Sequence, residues 1–512
     1  MIIKIDKPYL WLPVGKEAQE VKLQFYTKEK KVQEIDIHLG TADCDFYSCW
    51  EVKDFIGEEL TVEGADDRLL QGLFCCEKPY SNEYPYRPKI HFCPPVGWHN
   101  DPNGMVYADG TYHLYYQWNP YGTAWGNMQW GHAKSRDLCQ WEHCPVTLVP
   151  SEKGTVYSGC GIEDTRDELG YGKGTLLYYY TAAGGRNQWS VDAGNLFTQR
   201  LAYSVDGGET LLDSDKFFMP NEICENRDPK VFYHEESGAY IMLLYLDGND
   251  FIVYRSENLQ DWQETQRLSI PGMWECPDLF LLPVRNIPGM KKWVFWSADG
   301  YYLTGTFDGY TFSIESQRKS AYSSEIPYAA QTFSGTGDRT ISMSWLRLKN
   351  TRGNYRGLMS LPVELYLLRE NGDYIVGFEP VRELREAETA AEIITGDKIC
   401  PGGKAVRLTI KPSGTARGEW NLHIGNLRIR EDLIGGTISV CDTEAHAYYM
   451  NVPVRKTSEE ITIIIDQEAV EIFAENGKIY GVAETEENIL GMTWEIRRTE
   501  GFEADCRICY YK

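Results

Sequence analysis

The chain has 512 residues, more than a single hydrophobic core usually organises, so two or three domains are expected. Hydrophobic residues make up 42% and charged residues 25%, the balance of a globular protein, and the formal net charge of -24 argues against nucleic acid or an anionic lipid surface as a partner. No run of eighteen apolar residues is present, which excludes a membrane-spanning helix of ordinary composition. The N-terminus, MIIKIDKPYLWLPVGKEAQE, has no basic segment followed by an apolar stretch and a small-residue cleavage site. A cytoplasmic location is therefore expected, with the 14 cysteines reduced. Cys506 and Cys509 form a lone C-x-x-C without a second pair, so neither a metal site nor a cofactor is expected.

In chain order, residues 1–85 contain alternating patterns at 21–26 (VKLQFY) and 32–39 (VQEIDIHL), the mark of a small β-rich module. The stretch 79–89 (PYSNEYPYRPK) is rich in Pro and Tyr and reads as a connector. From 86 to about 375 short apolar and aromatic runs recur between turn residues, as at 111–117 (TYHLYYQ), 175–181 (TLLYYYT) and 240–246 (YIMLLYL). A weak repeat, S-x-[DN]-L-x-x-W, occurs at 135–141 and 256–262, each time after a strand-like run. Repeating sheet units with periodic turn and aromatic signatures predict a β-propeller, here with five blades. Residues 381–392 (VRELREAETAAE) are the best helical candidate, or else a linker. Strand patterns resume from 385 to 512, for example at 460–466 (EITIIID), a length that suits a β-sandwich. The predicted class is all-β.

Three acidic residues have unusual neighbours. Asp101 sits in Trp98-His-Asn-Asp-Pro-Asn-Gly104, where D-P-N-G alone predicts only a tight turn but Trp98 and Asn100 add an aromatic and an amide. Asp228 follows Arg227 in R-D-P, a pairing that elsewhere is usually a surface ion pair. Glu275 lies between Trp274 and Cys276, where partial desolvation would raise its pKa toward that of a general acid. No single element brings these three together, but the innermost strands of a propeller face one funnel. Two carboxylates across a glycosidic bond are the minimum machinery of glycoside hydrolysis. Turns and structural ion pairs remain the alternative on these residues alone.

Taken together, W-H-N-D-P-N-G, R-D-P and W-E-C-P-D, in this order, resemble the three signatures of glycoside hydrolase family 32, the invertase, inulinase and levanase family. Further matches are Tyr115-Tyr-Gln-Trp-Asn-Pro120, Trp125-Gly-Asn-Met-Gln-Trp-Gly-His-Ala133, Tyr157-Ser-Gly159, Tyr328-Ala-Ala-Gln-Thr-Phe333, Met359-Ser-Leu-Pro-Val-Glu-Leu365 and Asp466-Gln-Glu-Ala-Val-Glu-Ile-Phe473. The resemblance implies a five-bladed propeller followed by a β-sandwich. It also implies a retaining double displacement at a terminal β-linked fructofuranose: Asp101 is the nucleophile, Glu275 the general acid/base, and Asp228 holds sugar hydroxyls and stabilises the transition state. Substrate contacts by the same resemblance are Asn100, Gln117, Trp125, Ser158, Arg227 and Trp345. Two departures stand out. His99 replaces the usual Met beside the nucleophile, which would alter leaving-group contacts or the local charge. Ser324–Tyr328 carries Pro327 where Phe is usual, in a segment expected to border the pocket.

The expected activity is an exo-acting β-D-fructofuranosidase on short fructose-containing oligosaccharides such as sucrose, inulobiose and levanbiose. The W-G-N-M-Q-W-G-H-A segment is more similar to fructan exo-hydrolases than to plain invertases. A fructosyltransferase of the same fold, a sucrose-6-phosphate hydrolase and an inactive fructan-binding protein are the alternatives. No basic cluster for a phosphate is evident, and the presence of all three carboxylates argues against inactivity. Residues 1–85 add to the family's two-domain plan as a sugar-binding module, a packing extension or a subunit contact, which leaves a homo-oligomer open.

Overall fold

The computed structural model of the chain describes residues 1–80, 84–454, 459–486 and 488–512, so the connector at 79–89 lies partly outside the described residues. Between Gly97 and Pro380 the chain folds into five successive sheets of at least four strands each, antiparallel except where the late strand Tyr355–Arg356 pairs in parallel with Gly97–Trp98 of the first. The first strands of these sheets are Gly97–Ala108, Thr155–Asp164, Arg227–His234, Asp278–Pro283 and Pro327–Thr332. Composition follows depth. Ala239–Tyr245, the second strand of the third sheet, is apolar and buried throughout, as a strand covered on both faces must be, whereas the outermost strand Gln263–Ser269 is polar and largely exposed.

The S-x-[DN]-L-x-x-W repeat is the turn between third and fourth strands. Asp137 Oδ1 accepts from the N–H groups of Cys139 (2.9 Å) and Gln140 (2.8 Å), and Asn258 Oδ1 accepts from Gln260 (3.0 Å) and Asp261 (2.9 Å). The buried leucine of each repeat adopts a left-handed backbone, φ 60° at Leu138 and 61° at Leu259. The same side-chain device recurs at the corresponding turns of two further sheets. Asp206 accepts from Thr210 N–H (3.0 Å) and Asp308 from Tyr310 N–H (2.8 Å), although neither carries the full pattern.

The first strands are tied to one another through buried polar groups. Lys230 Nζ lies 3.0 Å from Asp278 Oδ2 and donates to Thr332 O (2.7 Å) and Thr332 Oγ1 (3.0 Å), which joins the third, fourth and fifth sheets. Asp278 Oδ2 also accepts from Thr332 N–H (2.9 Å). Ser334 N–H donates to Met105 O (3.1 Å) and Ser334 Oγ to Gly161 O (2.6 Å), which links the fifth sheet to the first and second.

From Glu392 onward two six-stranded sheets pack face to face around Trp420, Trp494 and a set of Ile, Leu and Val side chains. Asp466, fully buried, clamps this unit to the entry of the first sheet. It accepts from the N–H groups of Lys89 (2.9 Å), Ile90 (2.9 Å) and His91 (3.0 Å) and from His91 Nδ1 (3.0 Å), while His91 Nε2 lies 3.1 Å from Glu471 Oε1. Burial alone would lower the His91 pKa, but hydrogen bonds to the two carboxylates carry it up to about 9. The expected helix at 381–392 is limited to Arg382–Glu386. Beyond it Thr389 N–H donates to Tyr510 O (2.9 Å) and Glu392–Ile393 pairs with the last strand, so edge pairing takes the backbone groups a longer helix would use.

Residues before Cys76 form a four-stranded sheet (Ile2–Lys4, Glu59–Glu63, Glu20–Thr27, Lys30–His38) and a three-stranded sheet (Phe46–Glu51, Tyr9–Val14, Phe74–Cys76). Their apolar core, including Leu10, Leu23, Phe25 and Ile35, is continuous with that of the first sheet through Ile90, Phe92 and Trp118. All 14 cysteines are unpaired. Cys506 and Cys509 are three apart on the strand Ala504–Tyr510, so their side chains project to opposite faces.

The Lys230 knot sets a stability prediction. Lys230→Met leaves the Asp278 carboxylate buried without its cation, and a loss of about 3–5 kcal/mol is expected in urea unfolding. The double variant with Asp278→Leu should recover a large part of that loss. No recovery would mean that the lysine acts through packing alone.

Candidate active site

Four of the five first strands break register where they reach the site. The ladder slips between His99 and Pro102, between Tyr157 and Gly159, between Arg227 and Lys230, and between Tyr328 and Gln331. Each slip is a β-bulge that turns a side chain out of strand alternation, here Asn100 and Asp101, Ser158 and Asp228. The D-P-N-G segment is therefore not a reversing turn. It lies inside the strand Gly97–Ala108, between two bulges, and Gly104 takes φ 52° in the second. A β-carbon there would collide with the rings of Tyr115, Trp130 and Tyr178. Backbone strain collects at the same place: Asp228 (φ 64°), Glu275 (50°), Cys276 (41°) and Ala329 (51°) are all left-handed without being glycine. Such residues cost on the order of 1–3 kcal/mol each and persist only where the surroundings hold them.

The bulges converge on a pocket of about 320 Å³. Asp101, Asp228 and Glu275 line it, together with Asn100, Gln117, Trp125, Ser158, Arg227 and Trp345. Asp101 accepts from Ser158 Oγ (2.6 Å) on one oxygen and from Asn100 Nδ2 (3.2 Å) on the other, and Asn100 is itself oriented by Trp98 Nε1 (3.0 Å). Asp228 Oδ2 accepts from Cys276 N–H (3.1 Å). The Cys276 thiol lies between the two aspartates, 3.7 Å from Asp101 Oδ2 and 3.6 Å from Asp228 Oδ2. Glu275 is held from both sides, by Arg227 Nη2 on Oε1 (2.6 Å) and by Tyr328 OH on Oε2 (2.6 Å). Gln117 Nε2 and Trp345 Nε1 have no hydrogen-bond partner among the described residues.

The Glu275 side chain is 30% exposed, partly withdrawn from solvent as expected, but with the Arg227 guanidinium beside it. Trp274 is 41% exposed at the rim, where its indole donates to Tyr328 OH (3.0 Å). Burial raises Asp101 to about 6 against the lowering effect of Ser158, with the charge of Glu275 adding to the rise. Burial raises Asp228 to about 7, opposed by Arg227 and reinforced by Glu275 and Asp101. His99 contributes no charge and does not reach the leaving-group side. Its ring is fully buried with Phe92 (6.0 Å) and Tyr116 (5.8 Å), neither nitrogen has a partner among the described residues, and burial takes its pKa down to about 3.

Of the segment 324–328, only Tyr328 lines the pocket. Pro327 opens the strand Pro327–Thr332, where a missing N–H is tolerated, and Ser324 Oγ accepts from Val482 N–H (2.8 Å) of the C-terminal unit. Tyr157, Arg186, Glu225 and Tyr328 also line the pocket but had no role assigned from sequence. Tyr157 and Tyr328 lay inside recognisable motifs, and Glu225 opens E-N-R-D-P, whereas Arg186 follows two glycines and carries no local signal.

Comparison with known proteins places this arrangement. The model of the glycosyl hydrolases family 32 N-terminal domain matches residues 91–377. The chain belongs to glycoside hydrolase family 32. It is 31% identical to a levanase of Bacillus subtilis over 80% of this chain and 68% of that protein. It is 33% identical to an extracellular exo-inulinase of Aspergillus niger over 48% of this chain, which spans 54% of that relative. An exo-inulinase structure from Aspergillus awamori superposes with a TM-score of 0.72 at 23% identity, covering 85% of this chain and 99% of the other. The fold is thus the all-β propeller and sandwich architecture of family 32, and the chain is a glycoside hydrolase.

The raised aspartates have a thermodynamic consequence. A carboxyl whose folded pKa lies above its unfolded value near 3.8 favours the fold below that value and loses this contribution as pH rises through about 6 to 7. Asp101→Asn and Asp228→Asn should therefore each raise Tm by a few degrees at about pH 8, with the difference shrinking toward about pH 4. A lower Tm for both variants at alkaline pH would show that the carboxylates stabilise the fold.

Proposed function

We propose that this chain is a retaining, exo-acting β-D-fructofuranosidase that releases terminal fructose from short β-fructosides such as sucrose, inulobiose and levanbiose. The observation that carries the reading is the gathering of three carboxylates with different partners in one small pocket. Asp101 is oriented by two neutral donors, Ser158 and Asn100, and is free to attack the anomeric carbon. Glu275 is positioned between Arg227 and Tyr328 at the open side, where a leaving oxygen departs. In the first step Asp101 forms an ester with the anomeric carbon, the bond to the leaving oxygen breaks, and Glu275 supplies its proton. Ester formation removes one negative charge from beside Glu275 and Asp228. Glu275 then takes a proton from water as water attacks the same carbon and frees Asp101. Asp228 and the unpartnered Gln117 and Trp345 donors suit the ring hydroxyls of fructose.

Within the same reading, the five sheets are the five blades of a propeller at 86–375, followed by a sandwich at 385–512 and preceded by an additional small β-rich module at 1–85. Location in the cytoplasm, where transporters deliver only small sugars, favours di- to tetrasaccharides. A phosphorylated sugar is the poorer fit, because both guanidinium groups of the pocket, Arg186 and Arg227, are already paired with Glu225 and Glu275.

Two expected outcomes follow from these roles. Asp101→Asn should remove nearly all turnover while sugar binding persists, and Glu275→Gln should slow sucrose far more than an activated aryl fructoside, whose leaving group needs no proton. Equal losses on both substrates would sink the assignment of Glu275 as acid. For chain length, kcat/KM for fructose release should decline from tetrasaccharides toward long inulin or levan at equal concentrations of chain ends. A value that holds or rises to polymer length would overturn the short-substrate preference.

A further inference from the structure

Beside the carboxylate pocket lies a second cavity of about 280 Å³, near the lower end of the ~300 Å³ and larger range of small-ligand sites. Two of its lining residues, Trp125 and Arg186, also line the carboxylate pocket, so the two spaces share a wall. The opposite side comes from the N-terminal sheets, through Lys16, Glu20, Asp36 and His38.

This cavity is held open by specific bonds. The strand Lys30–His38 anchors both loops that border it. Asp36 N–H donates to Asn127 Oδ1 (2.8 Å) and Asn127 Nδ2 donates to Asp36 O (2.7 Å), a two-bond clasp on the loop that carries Trp125. Asn119 closes the same loop from inside, its Nδ2 donating to Ala124 O (2.9 Å). Two positions earlier in the strand, buried Glu34 accepts from Gln188 N–H (2.9 Å), just past Arg186. Trp125, on the shared wall, leaves 53% of its surface exposed, an apolar face of the kind that covers the C–H side of a sugar ring. Around it the charges cancel. Lys16 and Arg186 oppose Glu20 and Asp36, Lys16 Nζ is engaged by Gly353 O (2.8 Å), and Arg186 is paired with Glu225. Lys22 occupies only Oδ1 of Asp36 (2.6 Å). A pre-shaped, electrically balanced cavity with hydroxyl acceptors and one exposed indole suits a neutral sugar better than an anion.

We propose that this second cavity binds the leaving-side sugar units of a β-fructoside whose terminal fructose occupies the carboxylate pocket, so that residues of the N-terminal sheets set the preferred chain length. The inference rests on the β-fructofuranosidase reading for the identity of the sugar in the first pocket. Glu20 gives the cleanest test, because it is exposed at the start of the strand Glu20–Thr27. In the full-length protein Glu20→Ala removes an acceptor and Glu20→Trp fills the space, while Asp36→Asn keeps the backbone clasp. The ratio of kcat/KM for the tetrasaccharide nystose to that for sucrose should fall about tenfold in Glu20→Trp and less in the other two, through KM. An unchanged ratio in all three variants overturns the proposal. Calorimetric binding in the Asp101→Asn background separates the two readings. If the wild type frees no fructose, the hydrolase assignment falls, yet nystose binding tighter than sucrose and lost in Glu20→Trp upholds the cavity. Equal binding of the two sugars rejects it.

Discussion

The geometry of the carboxylate pocket depends on a lysine ammonium buried among the first strands of three sheets. Lys230 stands two residues after Asp228, Asp278 three residues after Glu275, and Thr332 four residues after Tyr328, and the three bond to one another. Each functional group is thus one short step along its own strand from a shared knot. A buried ion pair with its remaining valences satisfied by a hydroxyl and a carbonyl has little slack, since any displacement leaves a charge uncompensated in a low-dielectric interior. Side chains that must be held to within about 0.5 Å of a working arrangement need that kind of support.

The site itself is locally unfavourable in most respects. Two carboxyls are desolvated near a third, four non-glycine residues are left-handed, and three pocket-lining aromatic or amide groups are half-exposed or have no partner among the described residues. These features coincide with breaks in strand register. A regular ladder would send alternate side chains into the sheet faces, whereas a bulge delivers Asn100 and Asp101 in succession to the same side. The apolar sheets around the site, with central strands buried from end to end, offset the cost.

The acidic residues were legible in the sequence because each carries its local machinery with it. One of the two donors to Asp101 (Asn100), the thiol that follows Glu275 and the arginine beside Asp228 are immediate neighbours of those residues in their short motifs. What the sequence left open depends on pairing across long separations. D-P-N-G reads as a turn until its partner strand shows that it is extended between two bulges. The partners of Glu275 were equally hidden, since Arg227 and Tyr328 reach it from 48 and 53 residues away. Arg186 has no motif, and its partners lie elsewhere in the chain: Glu225 pairs with its guanidinium and Glu34 accepts from Gln188 N–H in the loop after it. The relation of residues 1–85 to the site was illegible for the same reason, since it rests on a clasp between Asp36 and Asn127. The turn repeat was half visible: two of its four occurrences kept the Leu and Trp, while Asp206 and Asp308 preserved only the hydrogen-bonding group.

The Asp466 clamp joins the segment just before the first sheet to the turn between the strands Ile461–Ile465 and Ala469–Ala474, 375 residues beyond His91. During translation the Lys89–His91 backbone donors therefore wait, exposed, while the five sheets emerge. The strand Tyr355–Arg356, which pairs in parallel with Gly97–Trp98, also arrives late. The ring of sheets consequently closes only when distant parts of the chain are present together. A topology that rests on contacts so distant in sequence is expected to fold slowly, and loss of the segment around Asp466 is expected to impair folding even when all three pocket carboxylates are retained. Once formed, the same closure ties the first sheet to the last, so unfolding is expected to require those contacts to break before the ring opens.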